Sequence, residues 1–188
     1  MSATRQTAWT QEEFFAWAEA QEERYEFDGF APEAMGGGTA GHSLLHVNII
    51  KALGRRLRTP CIVLGADAGV ATLGHAVRYP DALITCSPID LSARTISGVV
   101  VVFEVLSPTS GRMDRLVKVR EYAGVPTILR YVIVEYAFAG LTVLSRAHGT
   151  EGWMSEALGE GSSLSMPEVG VVLPLAEIYD GLFETSRT

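Results

Sequence analysis

The feature that most constrains this chain is an apolar run, Val99–Leu106, which contains one acidic residue, Glu104. Four consecutive valines and a phenylalanine precede Glu104, and a β-branched run of this kind is typical of a strand buried on both faces of a sheet. A carboxylate is costly to bury without a partner. We therefore expect Glu104 to be either a structural carboxylate, paired with an arginine or a backbone amide, or a functional group that binds a metal ion or transfers protons.

Periodicity and turn signals around this run predict a mixed α/β domain with a central, mixed sheet. Thr10 and Glu13 form a capping-box signature, Asp28-Gly29 signals a hairpin turn, and the glycine-rich segment Gly36–Gly41 is predicted as a loop. The predicted helices follow Thr10 to about Glu22, and cover Ser43–Leu57 and Arg112–Ala123, with a last helical turn at Leu175–Tyr179. The predicted strands are Arg24–Phe27, Phe30–Met35, Cys61–Leu64, Gly69–Leu73, Ala82–Thr85, Val99–Leu106, Tyr131–Tyr136 and Leu141–Ser145, followed by short strands from Trp153 onward.

Length and charge bound the class of protein. A chain of 188 residues with 47% hydrophobic content predicts one globular domain over residues 1–188. The formal net charge is −7, whereas a protein that binds nucleic acid over its whole surface is usually basic. A nucleic-acid partner would therefore have to be bound by a local basic patch or through metal ions.

The two cysteines, Cys61 and Cys86, lie far apart in apolar contexts, and no C-x-x-C motif is present. This excludes a zinc ribbon or a thioredoxin-like redox motif and predicts two buried free thiols. No apolar signal-peptide core occurs near the N-terminus, and the run Val99–Leu106 is too short to span a bilayer. We expect a cytoplasmic protein without a membrane partner.

A second acid, Asp81, follows Pro80 at the start of the strand predicted at Ala82–Thr85. Taken alone, it is an ordinary turn aspartate. It gains weight because Glu104 lies in a second strand further along the chain, and two carboxylates that converge from adjacent strands form a hard-oxygen site suited to Mg²⁺ or Mn²⁺.

Lys118 is one of only two lysines, with Lys51, against thirteen arginines. A lysine near a metal site can stabilise charge on a phosphate or activate a water molecule. The alternative is an i,i+4 ion pair with Asp114 on an exposed face of the predicted helix, and local sequence alone favours that alternative. Leu106 shares a face with Glu104, and no cation stands at that position.

Several segments in order carry a resemblance to a known family: Arg24-Tyr25-Glu26-Phe27-Asp28-Gly29, Gly41-His42, Arg78-Tyr79-Pro80-Asp81, and Glu104-Val105-Leu106-Ser107-Pro108-Thr109-Ser110 with Asp114, Lys118, Tyr122 and Gly124-Val125. From about Trp9 to Tyr179 the chain resembles the restriction-endonuclease-like domains, formerly a domain of unknown function, of the PD-(D/E)XK nuclease superfamily. The segment after Glu104 with its downstream D-x-x-x-K is quite specific, whereas the other segments are weak singly.

The resemblance implies a restriction-endonuclease-like fold, in which a central mixed β-sheet is flanked by helices. It implies Asp81 and Glu104 as metal ligands and catalytic residues, with Glu26 as an additional acid at the metal. The superfamily pattern has a lysine two residues after the second acid, where this chain has Leu106, and Lys118 is the natural substitute. His42 matches a histidine at the start of the second helix that would contact phosphate or order the site, although a capping or surface histidine is an equal alternative.

Three other patterns are weaker. Gly36–Ser43 resembles a phosphate-binding loop with histidine in place of its lysine, which favours a plain glycine loop. His42 and His46 have the i,i+4 spacing of a zinc pair, but the H-E-x-x-H motif is absent. Two basic clusters could contact a nucleic-acid backbone or form solvated helix faces: Arg112, Arg115, Lys118 and Arg120; and Arg55, Arg56 and Arg58.

The sequence thus predicts a Mg²⁺- or Mn²⁺-dependent endonuclease that hydrolyses DNA, with Asp81, Glu104, Lys118 and Glu26 at its centre and with His42, Arg112 and Arg115 against the nucleic acid. The alternative is a non-catalytic module of the same fold that serves binding or oligomerisation, because fold does not imply function. The net charge of −7 fits this alternative somewhat better. A homodimer is compatible with the resemblance, and nucleotide binding at Gly36–Ser43 is a third, weaker option.

Overall fold

The long apolar run forms the central strand of a six-stranded mixed sheet. The computed structural model describes residues 9–106, 112–150 and 152–183, without the side chains of residues 112–115. The helices are α1 (Gln11–Ala18), α2 (Ala40–Gly54), α3 (Arg112–Ala123) and α4 (Leu175–Ile178). The strands are β1 (Tyr25–Phe27), β2 (Pro32–Ala34), β3 (Ile62–Gly65), β4 (Val70–Ala71), β5 (Val77–Arg78), β6 (Ala82–Thr85), β7 (Val99–Val105), β8 (Arg130–Val134), β9 (Gly140–Ser145), β10 (Met154–Gly159), β11 (Ser163–Met166) and β12 (Val171–Pro174).

The main sheet has the order β10-β9-β8-β7-β6-β3, and its only parallel pair among the described strands is β7 with β8. Helices cover both of its faces. On one face Phe103 and Val105 pack with Leu45 and other residues of α2. On the other face Val102 and Leu106 pack with Tyr122 of α3. This buries β7 from both sides, as its valine-rich sequence predicts, and confirms the expected mixed sheet flanked by helices.

A smaller antiparallel sheet, ordered β2-β1-β5-β4, lies beside the main one. Phe14 of α1 stacks on Phe27 of β1 and packs with Val77 of β5. The hairpin turn between β1 and β2 follows its sequence signal: Asp28 Oδ1 accepts hydrogen bonds from the backbone of residues 30 and 31. Gly29 has a φ of +89°, which an L-residue rarely adopts. This sheet carries Glu26 and Arg78.

The predicted elements agree with the structure to within a few residues, with some corrections. The capping box at Thr10 is present, but α1 ends at Ala18 rather than near Glu22. Helix α2 begins at Ala40, inside the predicted loop, because Thr39 is its N-cap and accepts a hydrogen bond from the His42 N–H. Strand β5, of two residues, was not predicted, since so short a segment has no periodicity. None of the described helices has the length and apolar character needed to cross a bilayer.

The prediction of two free thiols is wrong, because Cys61 and Cys86 form a disulfide. Cys61 directly precedes β3 and Cys86 directly follows β6. These strands pair antiparallel with Ile62 opposite Thr85, so the same register places the two cysteines opposite each other. The disulfide therefore connects the edge strand of the main sheet to its neighbour.

Candidate active site

The predicted site residues of the described chain come together in one cleft of about 600 Å³, lined by Glu26, His42, Asp81, Glu104 and Lys118 among others. The cleft lies where the β1–β2 hairpin, the first turn of α2, the start of β6 and the end of β7 meet α3. Arg112 and Arg115 begin α3, but their side chains lie outside the described part of the chain. The same holds for the Asp114 side chain, the alternative partner of Lys118.

Asp81 is fixed against the end of β7 by the sheet register. Ala82 lies opposite Phe103 in the antiparallel β6–β7 pair, so Asp81, one residue before β6, lies beside Glu104. The Asp81 Oδ2 atom accepts a hydrogen bond of 2.7 Å from the Val105 N–H. A carboxylate held by a backbone amide has a defined orientation, which is what a ligand or catalytic group at this position requires.

His42 reaches the other oxygen of Asp81 from the first turn of α2. Its Nε2 lies 3.5 Å from Asp81 Oδ1 and 3.2 Å from the carbonyl oxygen of Val105. Because a carbonyl oxygen only accepts hydrogen bonds, Nε2 carries the proton. Hydrogen bonding to Asp81 raises the pKa of His42 above its ordinary value, against the opposing effect of burial. His42 therefore orders Asp81 as well as facing the cleft.

Glu104 projects from β7 into the cleft, with its side chain only 12% exposed. Its Oε1 accepts hydrogen bonds from the Tyr122 hydroxyl at 2.9 Å and from Lys118 Nζ at 3.3 Å. Burial raises the pKa of Glu104 to about 7; the negative charges of Asp81 and Glu26 add to this, and Lys118 and Tyr122 oppose it. Glu104 is thus a carboxylate whose charge is destabilised by its surroundings.

Lys118 stands between two carboxylates that come from different sheets. Its Nζ is 3.3 Å from Glu26 Oε1 and 3.3 Å from Glu104 Oε1. Lys118 and Tyr122 are four residues apart and so share one face of α3, from which both reach Glu104. Lys118 therefore lies in the cleft beside Glu104 rather than on an exposed face.

Glu26 is held by more donors than the sequence predicts. Its Oε2 accepts from Arg78 Nη1 at 3.1 Å. Its Oε1 accepts from the Tyr79 N–H at 3.1 Å and from Lys118. Both oxygens are thus engaged by residues of the chain.

Arg78 is the main residue that sequence reasoning missed. It is 2% exposed, and it binds Glu121 of α3 through two hydrogen bonds, of 2.6 Å from Nε and 2.8 Å from Nη2. It also contacts Glu33 of β2 at 3.3 Å. Burial alone would lower the pKa of Arg78, but the hydrogen bonds and charges of its acidic partners outweigh burial, so the pKa is raised. The sequence signal that could have identified Arg78 was its place in the Arg78-Tyr79-Pro80-Asp81 segment, which carries part of the family resemblance.

The described lining of the cleft has more acids than permanent cations. It has four carboxylates and two such cations. The carboxylates are Glu26, Glu33, Asp81 and Glu104, and the cations are Arg24 and Lys118. Arg78 and Glu121 lie behind this lining and neutralise each other. The glycine-rich segment at 36–38 and His46 also line the cleft. Within the described ranges, no three His, Cys, Asp or Glu side chains are placed to hold a metal ion.

Comparison with known proteins bears on what this cleft belongs to. Residues 11–176 match the family model Uma2, described as "Putative restriction endonuclease". The uncharacterized protein slr1290 of Synechocystis sp. (strain ATCC 27184 / PCC 6803 / Kazusa) is 28% identical over 174 residues, which is 91% of each chain. The crystal structure of a "putative nuclease belonging to DUF820" from Anabaena variabilis ATCC 29413 superposes with a TM-score of 0.72. It covers 93% of this chain and 99% of its own at 13% identity, and shares the fold. The family match extends from α1 to α4 and includes every residue of the cleft, so this chain belongs to the Uma2 family of restriction-endonuclease-like proteins.

Proposed function

We propose that this protein is a metal-dependent endonuclease that hydrolyses phosphodiester bonds of DNA. The observation that carries the proposal is the placement of Asp81, Glu104 and Lys118 in one cleft of a nuclease-family fold. Glu104 lies in β7 and Asp81 directly precedes the neighbouring strand β6, and the ammonium lies 3.3 Å from Glu104. This is the residue set that the superfamily resemblance implies, with the lysine supplied by α3 instead of β7.

The donor chemistry of the site fits a divalent cation held by Asp81 and Glu104. Both are hard oxygen donors, as Mg²⁺ and Mn²⁺ prefer. Burial raises the pKa of Glu104, and the negative charges of Asp81 and Glu26 add to this. A cation there would relieve the repulsion between these charges. Glu26 fits less well, because both of its oxygens are engaged by Arg78, Tyr79 and Lys118. Its role as a third ligand stays a prediction.

When bound, such an ion would polarise the phosphate and lower the pKa of a water molecule. The residues of the chain contribute the rest. Asp81 is oriented by the Val105 N–H and by His42, and Glu104 by the Tyr122 hydroxyl. Lys118 can place its positive charge against the negative charge that develops on the phosphoryl oxygens, which is the usual role of a preorganised cation in such a site.

Binding of DNA to a protein of net charge −7 needs a local source of positive charge. We assign this to the start of α3, where Arg112 and Arg115 lie close in sequence to Lys118, and to His42 in the cleft. Arg24, which also lines the cleft, is a further candidate. The proposal predicts a steep dependence of DNA binding on salt, because phosphate contacts release counterions.

The second candidate function is a non-catalytic module that keeps the fold and uses the cleft for binding. The overall negative charge favours it. The surroundings of Glu104 favour the nuclease, because its carboxylate is paired with Lys118 and Tyr122 rather than with an arginine. A homodimer is compatible with either function.

The test is Mn²⁺ binding by calorimetry, followed by cleavage of plasmid DNA in Mn²⁺, for the wild type, Asp81→Asn and Glu104→Gln. We expect each substitution to weaken Mn²⁺ binding by more than about 100-fold, since even residues that only orient a ligand typically contribute 10- to 100-fold, and to abolish cleavage. Glu156→Gln, at an exposed position on β10, is the control and should change neither measurement. Cleavage retained by Glu104→Gln would refute the assignment. A wild type that binds Mn²⁺ and DNA without cleaving it would favour the module.

A further inference from the structure

The buried pair of Arg78 and Glu121 connects the small sheet to α3 behind the cleft. Arg78 lies on β5 and Glu121 on α3, and the two form a bidentate ion pair with distances of 2.6 and 2.8 Å. The Glu121 side chain is 10% exposed and that of Arg78 is 2% exposed. Neither residue lines the cleft, so neither is placed to touch a substrate.

Two routes lead from Arg78 to the ammonium of Lys118. The first passes through Glu26, whose Oε2 accepts from Arg78 while its Oε1 accepts from Lys118. The second passes along α3, because Glu121 is three residues after Lys118 and so lies on the adjacent part of the helix face. Arg78 thus fixes both the carboxylate that Lys118 contacts and the helix that carries Lys118.

We propose that Arg78 and Glu121 are positioning residues, which hold α3 and Glu26 so that the Lys118 ammonium stays between Glu26 and Glu104. The consequence for catalysis rests on the proposed function, whereas the geometric claim does not. A lysine side chain has several rotatable bonds, so its ammonium stays at one point only when the groups around it are themselves fixed. The backbone of Tyr79 and the side chain of Arg78 fix Glu26 in this way.

Stability alone does not account for such a pair. Replacing a buried ion pair with apolar residues of similar volume is often neutral or stabilising, whereas removing one partner leaves an uncompensated charge. This difference separates a positioning role from a structural one. The double variant Arg78→Met/Glu121→Met removes both charges of the pair and keeps apolar volume. We therefore expect it to fold while Glu26 loses its donor at Oε2 and keeps the Tyr79 N–H at Oε1.

The chain offers a matched control in a second ion pair, which is largely buried. Arg130 and Glu168 also form a bidentate pair, of 2.5 and 3.1 Å, with side chains 11% and 9% exposed. Neither residue lines the cleft, and their side chains are hydrogen-bonded to each other. Arg130→Met/Glu168→Met therefore removes the same chemistry from another part of the fold.

The readout uses the fact that Lys51 and Lys118 are the only lysines. With ¹⁵Nζ-labelled lysine, NMR spectra contain two side-chain ammonium signals, and the Lys118 ammonium should exchange its protons slowly because its side chain is 12% exposed and bound to two carboxylates. In Arg78→Met/Glu121→Met we expect this exchange to be at least about tenfold faster, as for the loss of a charge-assisted hydrogen bond. The control double variant should leave it unchanged. In the cleavage assay, kcat should fall in the first variant with little change in KM.

An unchanged Lys118 signal in a folded Arg78→Met/Glu121→Met protein would overturn the proposal. If that variant does not fold, Glu121→Gln takes its place, since it keeps shape and one hydrogen bond to Arg78, and the same criterion applies. Failure of the proposed function is a separate result. If the wild type does not cleave DNA but the variant exchanges the Lys118 protons faster, the nuclease function is refuted and the positioning role is supported. Cleavage unaffected by the variant, with unchanged exchange, supports the nuclease and sinks the positioning role.

Discussion

Replacing Glu104 with glutamine should change how stability depends on pH in the metal-free protein. Burial raises the pKa of Glu104 from its ordinary 4.5 to about 7, so the folded state binds this proton more tightly than the unfolded state. Below pH 4.5 the carboxyl is protonated in both states, and the ionisation of Glu104 does not reduce the free energy of unfolding. As the pH rises towards 7 the unfolded chain ionises first, and the stability is lost. At about 1.4 kcal/mol per pKa unit the loss is about 3 kcal/mol above pH 7.

Glutamine does not titrate, so Glu104→Gln escapes this loss. Its free energy of unfolding should rise relative to the wild type by about 3 kcal/mol between pH 4.5 and pH 8. The assay is urea denaturation of both proteins in EDTA across this range, with Glu156→Gln as an exposed control. Parallel pH profiles for Glu104→Gln and the wild type would refute the reasoning, because they would mean that Glu104 ionises freely in the folded protein.

Three further predictions concern one support of the site and two features that stabilise the fold. Tyr122→Phe removes the hydroxyl that donates to Glu104 at 2.9 Å. It should lower the free energy of unfolding by about 1–3 kcal/mol at pH 8 and weaken Mn²⁺ binding measured by calorimetry. Unchanged binding would contradict the orienting role of Tyr122. Arg146→Met removes donors to the carbonyls of Ala123, Val125 and Ile128. Urea denaturation should show that the free energy of unfolding falls by roughly 2–4 kcal/mol. The control, Arg55→Met at an exposed position, should lower it by less than about 0.5 kcal/mol. Cys61→Ser/Cys86→Ser opens a disulfide with a sequence separation of 25 and should cost about 3 kcal/mol on chain-entropy grounds; equal stability of the wild type with and without reductant would argue for free thiols.

Much of the fold follows from local sequence, because its elements have strong local signals. The valines of β7 alternate between two buried faces, and Thr10 caps α1 through Glu13 as its capping box predicts. Two features were not predicted from the sequence, because both depend on which strands become neighbours in the sheets. Strand β5 is defined by its partners β1 and β4, and the disulfide between Cys61 and Cys86 depends on the β3–β6 register. Local sequence does not contain this pairing.

In the candidate site, too, local sequence indicated some residues, and others depend on tertiary contacts. The acids Asp81 and Glu104 could be proposed from their strands, because a carboxylate in or beside a buried strand is conspicuous. Lys118 needed the resemblance, since its local pattern favoured an exposed ion pair with Asp114. Neither the strand pattern nor the resemblance assigned a role to Arg78 or Glu121, although Arg78 lies in one of the segments that carry the resemblance. Only the docking of α3 against the small sheet brings them within 2.6 Å.

The packing at Leu106 disfavours a lysine at the position where the superfamily pattern has one. Leu106 is 7% exposed and lies in the apolar cluster with Val102, Tyr122 and Ile133. A lysine there would have to replace core packing with a chain that ends in a charge, which is costly in an apolar surrounding. A lysine at position 106, directly after β7, would be placed by the sheet, whereas the position of Lys118 depends on how α3 docks. The position of the ammonium then depends on the tertiary contacts of α3, and the bidentate pair between Arg78 and Glu121 is one of these contacts.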